Sequence, residues 1–233
     1  MIAFICVSNN PAKAASLERS IQASLPPGSW QLTSVDGASH DIFSGYNAGA
    51  AQTQADVLVF LHHDVLLMCN ALALEHPLRM LQEAGTGFIG VAGATRLNAA
   101  GTWWGDVPQP QVMASCRGLV GCPDQTNPQN PFRMNFLAWP GPAVFGRVLV
   151  VDGVFLMCHR RTFERLGGFD SQNLSGFHFY DVDISLRAHL AGLTNYVAPI
   201  PMFHASTGNY DQVWDATRQR FLKKYAGRLP ISL

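Results

Sequence analysis

Charge is scarce in this chain. Only 14% of its 233 residues are Asp, Glu, Lys or Arg, and 16 bases balance 16 acids. That balance removes the electrostatic footprint of a protein whose main partner is nucleic acid or an anionic membrane surface. Long apolar runs are missing too. None approaches the roughly 18 to 20 residues of a membrane-spanning helix, and the opening MIAFICVSNNPAK lacks a basic leader, so a cytoplasmic protein is expected. Cysteine is sparse and odd in number (Cys6, Cys69, Cys116, Cys122, Cys158), which fits reduced core thiols better than a disulfide framework. Cys116 and Cys122, the one near pair, lack the second pair or adjacent His of a zinc site. No glycine-rich basic loop follows the first strand. SNNPAKAAS holds a single Lys13 and no glycine, which argues against a nucleotidyltransferase.

What is present is a hydrophobic, patterned chain. Hydrophobic residues make up 48%, and the length suits one domain over 1–233 with a sizeable core. IAFICVS reads as a strand, and Asn10-Pro11 supplies a cap and a first-turn proline for a helix over about 11–25. WQLTSVDG is a second strand, 43–54 a helix, ADVLVFLHHD a third strand, 71–84 a helix and GFIGVAG another buried strand. The segment 94–146 is dense in Gly, Pro, Asn, Gln and Trp and has no long periodic element; an insertion of that kind is usually functional. RVLVVDGVFLMC (147–158) restores a strand, RRTFERLGGFD a short helix, YDVDISLRAHLAGL a helix, TNYVAPIPMFH an extended run, and 211–225 a last amphipathic helix. Strands alternating with helices predict an α/β fold with a mostly parallel sheet covered on both faces.

Ligands of such sheets gather at the carboxyl ends of the strands, where Ser8, Asp36, Asp64 and His204 all fall. In His62-His63-Asp64 the strand alternation puts His62 and Asp64 on one side. A carboxylate suits Mg2+ or Mn2+ and an imidazole suits Mn2+ better; a polar strand end with Asp64 capping a turn is the competing reading. Asp181 and Asp183 open a helix, where the dipole favours acids, and Asp183 can pair with Arg187 one turn on. The aromatic stretch Phe177, His178, Phe179, Tyr180 delivers both acids beside an apolar wall, which raises a carboxylate's proton affinity and makes a candidate base. His204 ends an apolar strand, where a lone His is more often a structural residue. Trp103 and Trp104, between Gly101 and Gly105, offer faces on which sugar rings pack; they serve equally as core plugs beneath a loop.

The order of FLHHD, the composite from VDGVFLMCHRRTFERLGGFD to FYDVDISLRAHLAGL, and a strand ending in His resembles the family 2-like glycosyltransferases of the GT-A fold, over Ile2 to about Tyr225. Closest is a small bacterial subgroup with SGYNAG-like, FLHHD-like and FHFYDVD-like segments. The resemblance implies transfer of a sugar from a nucleoside-diphosphate donor to a glycan or lipid-linked glycan acceptor, by inversion, in making bacterial surface polysaccharide or glycan. It implies a nucleotide-binding half at about 1–93, an acceptor or lid segment at 94–146 with Phe132, Phe136 and Trp139, and a catalytic half at 147–233. Asp64 and His204 would hold Mn2+ or Mg2+, and Ser8, Asp36, Asn47 and His62 would lie against the nucleotide donor. Asp181 would be the base, with Trp103, Trp104 and Asp183 at the acceptor or sugar. His62 and Tyr180 stand where that family often carries acids, so a degenerate binding module of the same fold is the alternative. A lipid-linked acceptor leaves room for peripheral membrane contact.

Overall fold

The computed structural model describes residues 1–103, 145–206 and 211–233, together with the strands at 120–122 and 133–135. The first half runs β1 (Ile2–Ser8), α1 (Pro11–Ser24), β2 (Trp30–Asp36), α2 (Ile42–Ala51), β3 (Val57–Leu61), β4 (Val65–Leu67), α3 (Leu72–Met80) and β5 (Thr86–Gly90). Short strands follow: β6 (Gly93–Ala94), β7 (Arg96–Leu97), β8 (Val120–Cys122), β9 (Arg133–Asn135), β10 (Gly146–Val148) and β11 (Val150–Val151). The chain continues with β12 (Phe155–His159), α4 (Arg160–Arg165), α5 (Tyr180–Leu190), β13 (Thr194–Val197), β14 (Met202–His204), α6 (Gln212–Lys224) and β15 (Ile231–Ser232).

The central sheet has the order β10-β13-β5-β12-β3-β1-β2. β1 pairs in parallel with both β2 and β3, and β13 with β5, while β12 runs antiparallel between β3 and β5. Alternation along β1 sends Ala3, Ile5 and Val7 into one apolar cluster and Ile2, Phe4 and Cys6 into the other, so the core lies on both faces of the sheet. The glycines of SGYNAG explain how tightly α2 covers one face. A Cβ on Gly45 would meet Val7 at 2.6 Å, and one on Gly49 would collide with Ile5. Asn10 caps α1 by accepting from the Lys13 N–H at 3.1 Å, with Pro11 in the first turn. Cys6, Cys69 and Cys158 are free thiols, the first and last buried. No described helix is long and apolar enough to cross a membrane.

Two expectations need correction. Residues 147–158 are not one strand: the chain breaks at Asp152-Gly153, and β10, β11 and β12 belong to different pairings. The run TNYVAPIPMFH also divides, because Pro199 and Pro201 have no N–H to donate; β13 stays in the central sheet and β14 joins a second sheet of order β4-β14-β8-β9. The segment 94–146, expected to have no long periodic element, has strands of only two or three residues among its described residues, which join four sheets.

Asp183 anchors the helical side. Its fully buried carboxylate accepts from Arg187 Nε at 2.9 Å, Lys224 Nζ at 2.6 Å and the Tyr225 hydroxyl at 2.8 Å, tying α5 to α6. Arg187 also donates to the carbonyls of Leu166 and Gly168, each at 2.6 Å. Removing the charge strands two cations, and Asp183→Asn is expected to lower stability in urea unfolding by about 3–5 kcal/mol. A loss under about 1 kcal/mol would mean that solvent replaces the pair.

Candidate functional site

β3 ends at Leu61, and the turn His62-His63-Asp64 reverses the chain into β4, with the Val65 N–H donating to the His62 carbonyl at 3.3 Å. β14 lies antiparallel on β4 with His204 opposite Val65, and the Ala205 N–H donates to the Asp64 carbonyl at 3.0 Å. This short ladder brings His204 from 140 positions away onto Asp64, Nε2 to Oδ1 at 3.4 Å. His62 Nδ1 is 3.1 Å from His204 Nε2, and one ligand atom from each of His62, Asp64 and His204 lies within 4.8 Å of the others. Lys13 Nζ reaches Asp64 Oδ2 at 3.2 Å.

The charge states suit a cation. Burial alone would push the Asp64 carboxyl up, but the hydrogen bond from His204, with the nearby imidazoles and Lys13, holds it well below the usual carboxylate range. Burial, aided by His204, pushes His62 down to about 3, so its ring is neutral. An ionised carboxylate and a neutral imidazole are the forms that coordinate metals. A donor set of two imidazoles and one carboxylate fits Mn2+ better than Mg2+.

Beside this cluster a cleft of about 440 Å³ opens between α1, β1 and β2, lined by Ser8, Asn9, Pro11, Glu18, Ser34 and Asp36 among others. Ser8 Oγ is 2.7 Å from His63 Nδ1, linking the end of β1 to the histidine turn. Asp36 is exposed; hydrogen bonds from the Ser39 hydroxyl at 2.6 Å and the Ala38 N–H at 2.9 Å hold its carboxyl below its ordinary value.

α5 begins with strain. Phe179 has φ 64° and ψ 1°, a left-handed conformation that costs a residue with a Cβ on the order of 1–3 kcal/mol. Packing of its buried ring on Trp214 and Phe221 holds it there. The kink aims Tyr180 inward, its hydroxyl lying where a Cβ on Gly153 would stand. Asp181 Oδ2 accepts the Gly153 N–H at 2.8 Å, and neighbouring Asp152 accepts from the Val154 N–H at 2.8 Å. Burial first, and the charge of Asp152 second, push Asp181 up to about 7. Burial raises Asp152 as well. A carboxyl poised near neutrality is suited to taking a proton from a hydroxyl.

Of the residues singled out in the sequence, Asp64, His204 and His62 meet in one cluster, and Tyr180-Asp181 reaches it through a 2.7 Å contact of the Tyr180 hydroxyl with His62 Nε2. Ser8 and Asp36 line the adjoining cleft. Asn47 braces α2 against the loop after α4: its amide donates to the Phe169 carbonyl at 2.8 Å and accepts from the Phe169 N–H at 2.9 Å. Asp183 is a buried structural charge instead of an acceptor contact. Trp103 packs against the core cluster that contains Phe221. Trp104, Cys116, Phe132, Phe136 and Trp139, and the side chain of Cys122, lie outside the described residues. Asp152 and His63 were missed. Both carried a signal, a polar residue ending an aliphatic run, and Asp152 was hidden by reading through VDG as strand.

A seven-stranded central sheet with an antiparallel β12 thus carries a His-Asp-His cluster at its carboxyl edge, and its fold is one found among glycosyltransferases of known structure. The structure is similar to that of GalNAc-T7 with UDP, GalNAc and Mn2+ (TM-score 0.60, 10% identity, 88% of this chain and 44% of that one). It is also similar to the mannosyltransferase PcManGT from Pyrobaculum calidifontis in complex with GDP-Man and Mn2+ (TM-score 0.56, 12% identity, 96% and 63%). The chain therefore spans less than half of the first protein and less than two thirds of the second. No curated protein matches it. The Glycosyltransferase like family matches residues 3–225, and the chain belongs to that family.

Proposed function

We propose that the chain is a metal-dependent glycosyltransferase that moves a sugar from a nucleoside-diphosphate donor to a hydroxyl of a glycan or lipid-linked glycan, with inversion. The observation that carries this reading is a pair of unlike acids joined through the Tyr180–His62 contact: Asp64, ionised among imidazoles, and Asp181 at the start of α5, with raised proton affinity. Asp64, His204 and His62 would hold the divalent ion, Mn2+ or Mg2+, which would supply positive charge against the diphosphate leaving group. The donor's base occupies the cleft beside Ser8 and Asp36, and Lys13 adds positive charge beside Asp64. Asp181 takes the acceptor proton while the hydroxyl oxygen bonds to the sugar carbon and the bond to the diphosphate breaks; one such displacement inverts the carbon. Motifs resembling those of a small bacterial subgroup of the family support a role in assembling surface polysaccharide or glycan.

Incubation with UDP- and GDP-sugars and Mn2+ is expected to release free nucleoside diphosphate, and EDTA is expected to stop it. Release that persists in EDTA would remove the ion from the reaction. Donor binding without release across an acceptor panel would favour the degenerate binding module, for which His62 and Tyr180, standing where acids are common, are the support.

A further inference from the structure

β2 is an edge of the central sheet, and among the described residues no strand pairs with its outer side. The direction of its backbone groups follows from the ladder with β1. At the two ends of that ladder the Ile2 N–H donates to the Ser29 carbonyl at 2.9 Å and the Gly37 N–H to the Ser8 carbonyl at 3.0 Å. Backbone groups alternate sides along a strand, so the odd-numbered residues of β2 face β1, and the N–H and C=O of Trp30, Leu32, Ser34 and Asp36 point outward. Among the described residues only the Asp36 carbonyl of this row has another partner, the Ser39 N–H at 3.3 Å. Edges of this kind are normally blunted by shortness, proline or a basic side chain. The opposite edge is blunted in that way: β10 has three residues and an exposed Arg147 at its centre. β2 is seven residues long, keeps an unbroken register with β1, and contains neither proline nor a basic residue. Its one charge, Asp36, stands at the last position.

We propose that β2 is a dimerisation edge, to which a second copy of this chain adds its own β2, antiparallel across a two-fold axis. One register uses every outward group. In it Trp30 faces Asp36 of the partner subunit, Leu32 faces Ser34 of the partner subunit, and Thr33 meets its own copy on the axis. Each outward-pointing pair exchanges two backbone bonds. No like charges oppose one another, because Asp36 falls across from an uncharged residue, and Thr33 against Thr33 is a favourable cross-strand pair. That self-complementarity favours a second copy over a foreign peptide. The side chains fit the same arrangement. Trp30 and Leu32 pack on the α1 side with Leu17 and Ile21, while Val35 packs on the α2 side, so both faces of β2 already have their own cover and only the edge is open. Leu32, Ser34 and Asp36 also line the cleft of about 440 Å³, and the pairing sets Trp30 of the partner subunit beside its Asp36 end. The dimer rests on backbone geometry alone and stands apart from the proposed reaction.

Light scattering on the purified chain over rising concentration is expected to approach twice the 25.4 kDa of one chain. Amide hydrogen exchange is expected to show protection at the Leu32 and Ser34 N–H groups, which point away from the ladder within one chain. Thr33 and its copy would form the closer kind of antiparallel pair, with Cα atoms about 4.5 Å apart. Thr33→Lys and Thr33→Glu each set like charges on the axis, so either variant alone should show half the wild-type mass. Mixed in equal amounts they carry opposite charges there, and the doubled mass should return. Leu32→Pro removes an outward N–H and leaves the bonds to β1 in place, a position that edge strands tolerate; it too should stay at the mass of one chain. A wild-type mass of one chain at every concentration, or unprotected Leu32 and Ser34 amides, would overturn the proposal. So would a dimer that survives in folded Thr33→Lys and Leu32→Pro variants. Charge variants that remain single chains when mixed would contradict the two-fold register.

Discussion

Asp181→Asn is expected to reduce sugar transfer by about 10²–10⁴-fold, the usual contribution of a positioned general base, while leaving the affinity for nucleoside diphosphate unchanged. The substitution is nearly isosteric, and the amide oxygen still accepts from the Gly153 N–H, so the start of α5 keeps its geometry. What disappears is the site for the acceptor's proton. The pH profile carries the same information. Burial, with the charge of Asp152, pushes Asp181 up to about 7, and it is the ionised form that accepts a proton. Below about 7, kcat/KM should therefore rise tenfold per pH unit and level off above, and the variant should lose that limb. Measured side by side, kcat and the Kd for diphosphate separate the roles: equal losses in both would make Asp181 a structural acid.

Asp64→Asn is expected to weaken Mn2+ binding by roughly 10²-fold or more, since even partners outside the coordination shell cost 10–100-fold. Asp64 is the one carboxylate of the cluster, it is mostly buried, and His204 and Lys13 already lean on it. Neutralising it leaves imidazoles and an ammonium facing a dication. Nucleoside diphosphate affinity in the presence of Mn2+ should drop with it. In EDTA, variant and wild type should bind the diphosphate alike, because the cleft beside Ser8 and Asp36 lies on other strands. A variant that binds Mn2+ as the wild type does would move the ion elsewhere.

Much of this was legible in the chain. The aliphatic strands, the Asn10-Pro11 helix start and the acids at strand ends follow from patterning that local chemistry enforces, and the α/β class follows from their alternation. The family resemblance, resting on FLHHD and the composite through FYDVD, supplied the roles. What stayed hidden depends on contacts between distant segments. Nothing local says that β14 will pair with β4, yet that ladder is what places His204 on Asp64. Asp183 illustrates the opposite failure. It sits in a motif-like segment, and only the fold shows its buried carboxylate already spent on the Arg187, Lys224 and Tyr225 network. The aliphatics on both sides of Asp152-Gly153 concealed a break that the hydrogen bond from the Gly153 N–H to Asp181 makes chemically important.

The central claim is a cation-dependent nucleotide site on Asp64, His204 and His62, and isothermal titration of the wild-type protein with UDP, GDP, dTDP and CMP, each with Mn2+, with Mg2+ and with EDTA, tests it most directly. The expected result is binding of one nucleoside diphosphate that is strongest with Mn2+ and collapses in EDTA, whereas binding indifferent to the metal, or no binding of any nucleotide, would contradict it.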